Sequence, residues 1–298
     1  MNIFLARARG FCMGVERSIS MAEEARKNLE GDITILNEIV HNHSVVADLD
    51  RKGILRTTNL DDVKDGTLII SAHGVAPSVI DSAKSRGLNV IDSTCPLVKV
   101  LHKAADYFIK RGYTVIVFGD PDHDEMKGVK GRNPAKIIVI KKIESTEDLP
   151  LIEGPVALIA QSTQSMADFD RAIDIARMRY PELRVKNTIC DATRSRQAAV
   201  VDLARRMDLV IVVGSPTSAN SRRLAMISEK SGTPAYLIDD QDEIDCEWFD
   251  SKNNIGVTAG ASTPDWVVGR VVERIKEIAA GKGDQEINLH DEKDEKQT

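Results

Sequence analysis

Aromatic side chains are scarce in this chain of 298 residues: Phe 6, Tyr 4 and Trp 2 leave few platforms on which bases could stack. Positive charge is in deficit too. Forty Lys and Arg against 46 Asp and Glu give a formal net charge of −6, which repels a phosphate backbone, so no nucleic-acid partner is expected. No run approaches the roughly 20 apolar residues of a membrane helix. The stretch from Met1 to Arg9 lacks the charged-then-apolar layout of a signal peptide, so the expectation is a cytoplasmic protein with no membrane partner. Nucleotide carriers are missing as well, with neither a Gly-x-x-x-x-Gly-Lys-Ser/Thr loop nor a Gly-x-Gly-x-x-Gly turn after the first strand. Cysteine is limited to positions 12, 95, 190 and 246, too sparse for a disulfide framework. In a reducing compartment such thiols are free, catalytic or metal-bound.

Hydrophobic residues make up 42% of the chain, enough for packed cores and too many for a disordered protein. They fall in short runs: Ile3 to Ala6, Ile33 to Leu36, Leu68 to Ser71, Val90 to Asp92, Val115 to Phe118, Val156 to Ala160, Val210 to Val213 and Ile255 to Thr258. Runs of this kind are strands buried on both faces. Between them lie helical patterns such as Val15, Ile19, Ala22 and Leu29, or Leu203 and Met207, each marking one apolar stripe. Strand and helix in alternation predict an α/β fold with small parallel sheets, whose ligands gather at the carboxyl ends of strands.

A weak internal repeat organises these elements. Three cysteines each close a strand and open a helix, at Arg9-Gly10-Phe11-Cys12, Asp92-Ser93-Thr94-Cys95 and Asn187-Thr188-Ile189-Cys190. A strand and a polar loop follow each at a spacing of 28 or 29 residues, at His41, His123 and Ser218. A second strand delivers another polar loop, Ser71-Ala72-His73-Gly74, Gln161-Ser162-Thr163-Gln164 or Thr258-Ala259-Gly260-Ala261-Ser262. The predicted organisation is three pseudo-threefold-related α/β units at 1–94, 95–189 and 190–280, with a charged, disordered tail at 281–298. Such units pack with their strand ends, and therefore three thiols, converging. Cys246 has no counterpart and is a bystander.

Three thiolates without a fourth suit an iron–sulfur cube with one iron lacking a protein ligand. A zinc site of three cysteines and a histidine is the alternative, although zinc usually takes a close Cys-x-x-Cys pair. On the polar loops, His41, His73, His123, Ser162, Thr163, Ser218, Asn220 and Ser262 form a set of neutral donors suited to a phosphate or diphosphate. In the acidic stretch Gly119 to Glu125, Glu125 is the candidate proton carrier, two residues beyond His123.

These residues, as a set and in this order, resemble the 4-hydroxy-3-methylbut-2-enyl diphosphate reductase family. The resemblance extends to about residue 280. It is carried by Gly10-Phe11-Cys12-Met13-Gly14-Val15, Glu38-Ile39-Val40-His41-Asn42, Ser71-Ala72-His73-Gly74-Val75, Thr94-Cys95-Pro96-Leu97-Val98, His123-Asp124-Glu125, Thr188-Ile189-Cys190-Asp191-Ala192-Thr193, Ser218-Ala219-Asn220 and Thr258-Ala259-Gly260-Ala261-Ser262-Thr263-Pro264. It implies a trefoil of three α/β units around a [4Fe–4S] cluster held by Cys12, Cys95 and Cys190, whose fourth iron meets the allylic hydroxyl of the substrate. It also implies Glu125 as the catalytic acid, substrate contacts from His41, His73, His123, Ser162, Thr163, Ser218, Ala219, Asn220 and Ser262, and an external donor such as ferredoxin or flavodoxin. The implied reaction gives isopentenyl and dimethylallyl diphosphate. A hydro-lyase acting on a related allylic diphosphate and a non-catalytic cluster protein are the alternatives. Departures from the family pattern are Ala219 for a serine, Ser162 for a threonine, Asp120 for a histidine, and a lysine moved by one position to Lys99.

Overall fold

The structure, a computed structural model, describes residues 1–282 and 286–292. Among them are three parallel sheets. The first has the order β3-β2-β4-β5, from Leu55–Thr57, Ile33–Leu36, Thr67–Ile70 and Asn89–Asp92. The second, β7-β6-β8-β9, uses Ile137–Ile140, Thr114–Phe118, Val156–Ala160 and Arg184–Lys186. The third runs β11-β10-β12-β1-β13, from Ala235–Ile238, Leu209–Val213, Asn254–Ala259, Asn2–Leu5 and Asn288–Asp291. The helices are α1 Met13–Asn28, α2 His43–Arg51, α3 Pro77–Ser85, α4 Pro96–Ile109, α5 Asp124–Lys130, α6 Met166–Arg179, α7 Asp191–Ala204, α8 Ala219–Lys230 and α9 Asp265–Gly281. None of them is long and apolar enough to cross a membrane.

The central strands β4, β8 and β10 are buried at every position, because helices cover both faces of a parallel sheet and leave no face for polar alternation. Edge strands differ. In β9 Arg184 and Lys186 face solvent on either side of Val185, and charge on an edge discourages pairing with another chain.

All three sheets share one strand order. Numbering the strands of each sheet by their place in the repeat, the order is second, first, third, fourth, and in the third sheet the fourth place belongs to β1. β1 pairs with β12 in the register Asn2 to Asn254 through Leu5 to Val257. Thus β1 leads to Cys12 as β5 leads to Cys95 and β9 to Cys190. In this order the crossovers diverge between the first and third strands, so the crevice of each sheet lies at their carboxyl ends. The loops there carry His41 and His73, His123 and Ser162, and Ser218 and Ser262.

The charged segment from Gly281, expected to be disordered, contributes structure. Gly281 ends α9, and Asn288–Asp291 forms β13 on the outer edge of β1. Arg9 forks onto Asp291, with Nη1 donating to Oδ1 at 2.8 Å and Nη2 to Oδ2 at 2.5 Å, while His290 stacks on Phe4 at 4.4 Å. These contacts and the open edge of β1 outweigh the low apolar content. Residues 283–285 and 293–298 of the segment lie outside the described residues.

The chain forms two compact units: one of 1–12, 41–47 and 191–298 holding the third sheet, the other of 13–40 and 48–190 holding the first two. In the latter, His102 on α4 is only 7% exposed. Burial and then the nearby Arg132 charge push its imidazole down to about 4. An unfolded histidine titrates near about 6.5. Between those values the unfolded chain binds more protons, so stability is lost as pH falls from about 6.5 to about 4. We expect His102→Gln to flatten the fall of Tm across that window, measured by circular dichroism on the apoprotein; an unchanged slope would remove His102 from the acid response.

Candidate functional site

Each cysteine of the repeat is seated by an equivalent backbone bond. The N–H of Cys95 donates to Ala72 O at 3.0 Å, that of Cys190 to Ser162 O at 3.0 Å, and that of Cys12 to Ala261 O at 3.1 Å. The accepting loops have one shape, closed by Gly74 N to Ser71 O, Gln164 N to Gln161 O and Thr263 N to Gly260 O at 3.0–3.1 Å. Asx turns set up two of the three approaches: Asp92 Oδ1 accepts from Thr94 N at 3.0 Å and Asn187 Oδ1 from Ile189 N at 2.9 Å. The Cys12 approach is held by Arg196, only 5% exposed, which donates through Nη2 to Gly10 O at 2.5 Å. None of the three cysteines is in a disulfide and all are half-buried, and each immediately precedes a helix, α1, α4 or α7. A helix N-terminus favours negative charge, and cysteine sulfur at such a place is the kind of donor that an iron–sulfur cluster takes.

Gly14 supplies a second sign of fit. A Cβ built there would collide with Cys95 Sγ and lie 3.1 Å from Cys95 Cβ, so the bare α-carbon holds open the space that the Cys95 sulfur occupies. The sequence marked Gly14 only as part of a motif; the available signal was a poor helix former in the first turn of α1. Cys246 is exposed on a short helical turn, Cys246–Phe249.

In the unit that holds Cys95 and Cys190, Glu125 is 2% exposed. Its Oε1 accepts from Ser162 N and its Oε2 from Ser162 Oγ, both at 2.7 Å. Burial pushes its carboxyl above the usual range, and the two Ser162 bonds pull part of the way back. Ser162 thus occupies both carboxyl oxygens, a role the sequence alone did not reveal. His123 caps α5, its Nδ1 accepting from Glu125 N at 3.2 Å, which leaves its proton on Nε2. The rings of His73 and His123 meet edge to face with centroids 5.2 Å apart. Thr163 Oγ1 is buried without a protein partner. Asp120 faces away from anion chemistry: its Oδ2 pairs with Lys141 at 3.0 Å.

In the other unit, Ser218 caps α8, accepting from Ser221 N at 3.3 Å through Oγ. Its O–H therefore stays available as a donor. Ala219 follows, 8% exposed, and Asn220, 5% exposed, keeps Nδ2 buried without a protein partner. Ser262 Oγ donates to His41 O at 3.0 Å. Asn42, absent from the expected set, is 1% exposed and caps α2 by accepting from Val45 N at 3.0 Å; its Nδ2 too is buried without a protein partner. Orphaned donors of this kind destabilise a fold unless a ligand or water takes them up.

A family model described as LytB protein matches residues 3–276. A 4-hydroxy-3-methylbut-2-enyl diphosphate reductase of Methylibium petroleiphilum is 40% identical over 283 residues, covering 94% of this chain and 86% of its own length. The solved E-1-hydroxy-2-methyl-but-2-enyl-4-diphosphate reductase of Plasmodium falciparum is 30% identical, with a TM-score of 0.90 over 97% of this chain and 91% of that one. A second solved structure, of (E)-4-hydroxy-3-methyl-but-2-enyl diphosphate reductase, the terminal enzyme of the non-mevalonate pathway, is 35% identical with a TM-score of 0.66, covering 93% of this chain and 99% of that one.

Proposed function

The chain belongs to the LytB family of 4-hydroxy-3-methylbut-2-enyl diphosphate reductases, and from that premise we propose that Cys12, Cys95 and Cys190 are its cluster ligands and Glu125 its proton donor. The reaction is a reductive dehydroxylation: the allylic alcohol, two electrons and two protons give water and isopentenyl or dimethylallyl diphosphate. A [4Fe–4S] cluster on the three thiolates would supply the electrons and, at an iron without a protein ligand, a Lewis acid.

The pair of Glu125 and Ser162 carries the reading. A buried carboxyl with a raised pKa retains its proton at a pH where a solvated one has lost it, and the hydroxyl 2.7 Å away gives that proton a route from Oε2 through Oγ. Proton donation of this kind is what a departing hydroxide requires. For the diphosphate, the assigned donors are His41, His73, His123, Thr163, Ser218 and Asn220, while Ser262, whose O–H is given to His41 O, steadies the His41 loop beside them. None of them is a lysine or arginine, so the set hydrogen-bonds the anion without a fixed cation that would pair with Glu125. With Ala219 in place of a serine, the contribution there falls to the backbone N–H at the start of α8. The cleaved bond consumes two electrons, and the chain has no flavin or nicotinamide motif, so an external carrier must provide them.

Anaerobic reconstitution with iron and sulfide tests the reading. The expected result is a brown protein that turns the allylic diphosphate over only when a reductant is present. Turnover without any reductant would establish a hydro-lyase, and a colourless zinc protein would overturn the cluster assignment.

A further inference from the structure

Cys95 is the N-cap of α4, and the outward side of that helix is basic although the chain is acidic overall. At about 100° per residue, positions 96, 99, 100, 103, 107 and 110 fall within an arc of about 100°. That arc contains Lys99, Lys103 and Lys110 and no acidic residue. Between the lysines stand two exposed apolar side chains, Val100 at 41% and Tyr107 at 50%. Arg111 adds a further cation, stacked 3.6 Å over the Tyr107 ring. Three acids stand at the margins: Asp92, which pairs with Lys99 at 2.6 Å, Asp106, which holds Arg132 through bonds of 2.8 and 2.6 Å, and Asp81 of α3. A cavity of about 370 Å³ opens alongside, between Lys103 and Arg132, and its wall includes Thr94, the residue before Cys95.

An apolar strip edged with cations, on a chain of formal charge −6, attracts one kind of protein surface and turns others away. The net charge opposes the approach of an acidic partner, and a local basic strip such as this one is where the approach is favoured. We infer that the outer face of α4 is the docking surface for an acidic one-electron carrier protein, which delivers its electrons at the end of the helix that bears Cys95. The inference rests on the reading above, which requires an external carrier. Two successive dockings supply the two electrons of one turnover, and each leaves the carrier oxidised by one.

The test uses the reconstituted full chain, with an acidic flavodoxin as the probe and dithionite with methyl viologen as a small reductant that needs no docking site. We expect Lys103→Glu combined with Lys110→Glu to raise KM for reduced flavodoxin at least tenfold and to leave the rate with methyl viologen unchanged. Titration calorimetry at low salt should show the same tenfold loss of affinity for oxidised flavodoxin. Lys27→Glu with Lys64→Glu, an equal charge change on exposed residues elsewhere, should leave that affinity within about twofold. Unaltered flavodoxin binding in the α4 variant, equal losses with both reductants, or equal losses in both variants overturns the inference. Wild-type protein inactive with either reductant would instead sink the reductase reading, and this docking role with it.

Discussion

Glu125→Gln is expected to retain the fold and the cluster while lowering turnover by about 10²–10⁴-fold, the usual worth of a positioned general acid. Glutamine keeps the shape of the side chain, and its carbonyl can still accept the Ser162 N–H now received at 2.7 Å. What it lacks is a proton to give. Stability should move the other way. Burial raises the Glu125 pKa, so between its unfolded and folded values the folded chain holds more protons, and stability falls as pH rises through that window. The amide escapes this penalty, and at neutral pH the variant should melt no lower than wild type. Ser162→Ala gives the companion result. Losing the hydroxyl removes the proton's route through Oγ and lowers kcat, and because both Ser162 bonds favour the carboxylate it also raises the Glu125 pKa further and moves the alkaline limb of the kcat–pH profile upward. A Glu125→Gln enzyme of wild-type kcat would remove Glu125 from the chemistry.

Gly14→Ala carries the second large effect, and it separates cluster assembly from folding. Alanine is favoured over glycine in a helix by about 0.5–1 kcal/mol, which offsets part of the cost of the 3.1 Å approach to Cys95 Cβ, so the apoprotein should still fold. The new methyl, however, claims the space of Cys95 Sγ, and the thiol can yield by rotating about its own Cα–Cβ bond. The chain then folds with one proposed ligand turned aside. Displacing a ligand's support typically costs 10–100-fold in metal affinity, and we expect bound iron and sulfide to fall to about a tenth or less of wild type. Analysis of iron and acid-labile sulfide, beside the melting curve of the apoprotein, checks both halves. A variant with full iron content and an unaltered electron paramagnetic resonance spectrum would show that Gly14 has no part in seating the cysteine.

The strands visible in the sequence were those whose burial leaves a continuous apolar run, such as Val156–Ala160 and Leu209–Val213. The strands not read from it, β3, β7, β9, β11 and β13, all lie on sheet edges. There segments such as Arg184–Lys186 meet water and read as loops, whereas β7, Ile137–Ile140, is apolar throughout and carried the signal of a strand. The cysteine spacing exposed the repeat, because three loops of one shape need residues at matching distances. The place of β1 beside β12 had no such signal, since periodicity records how a strand is buried and never which strand it pairs with. Likewise Glu125 could be singled out by chemistry and by its distance from His123. Its bonds to Ser162 join residues 37 positions apart, and only the folded chain brings them together.

β1 also sets a timetable. Its residues are made 252 positions ahead of the β12 residues with which they pair, Asn2 with Asn254. At ribosomal speeds of about 5–20 residues per second the wait is on the order of 10–50 s. Through that interval Ile3, Phe4 and Leu5 are a nascent apolar strand without a neighbour, while the sheets built from β2–β5 and β6–β9 already have every strand they need. Of the three sheets, the one that receives β1 therefore forms last, and the segment leading into Cys12 gains its support only once β12 has been made.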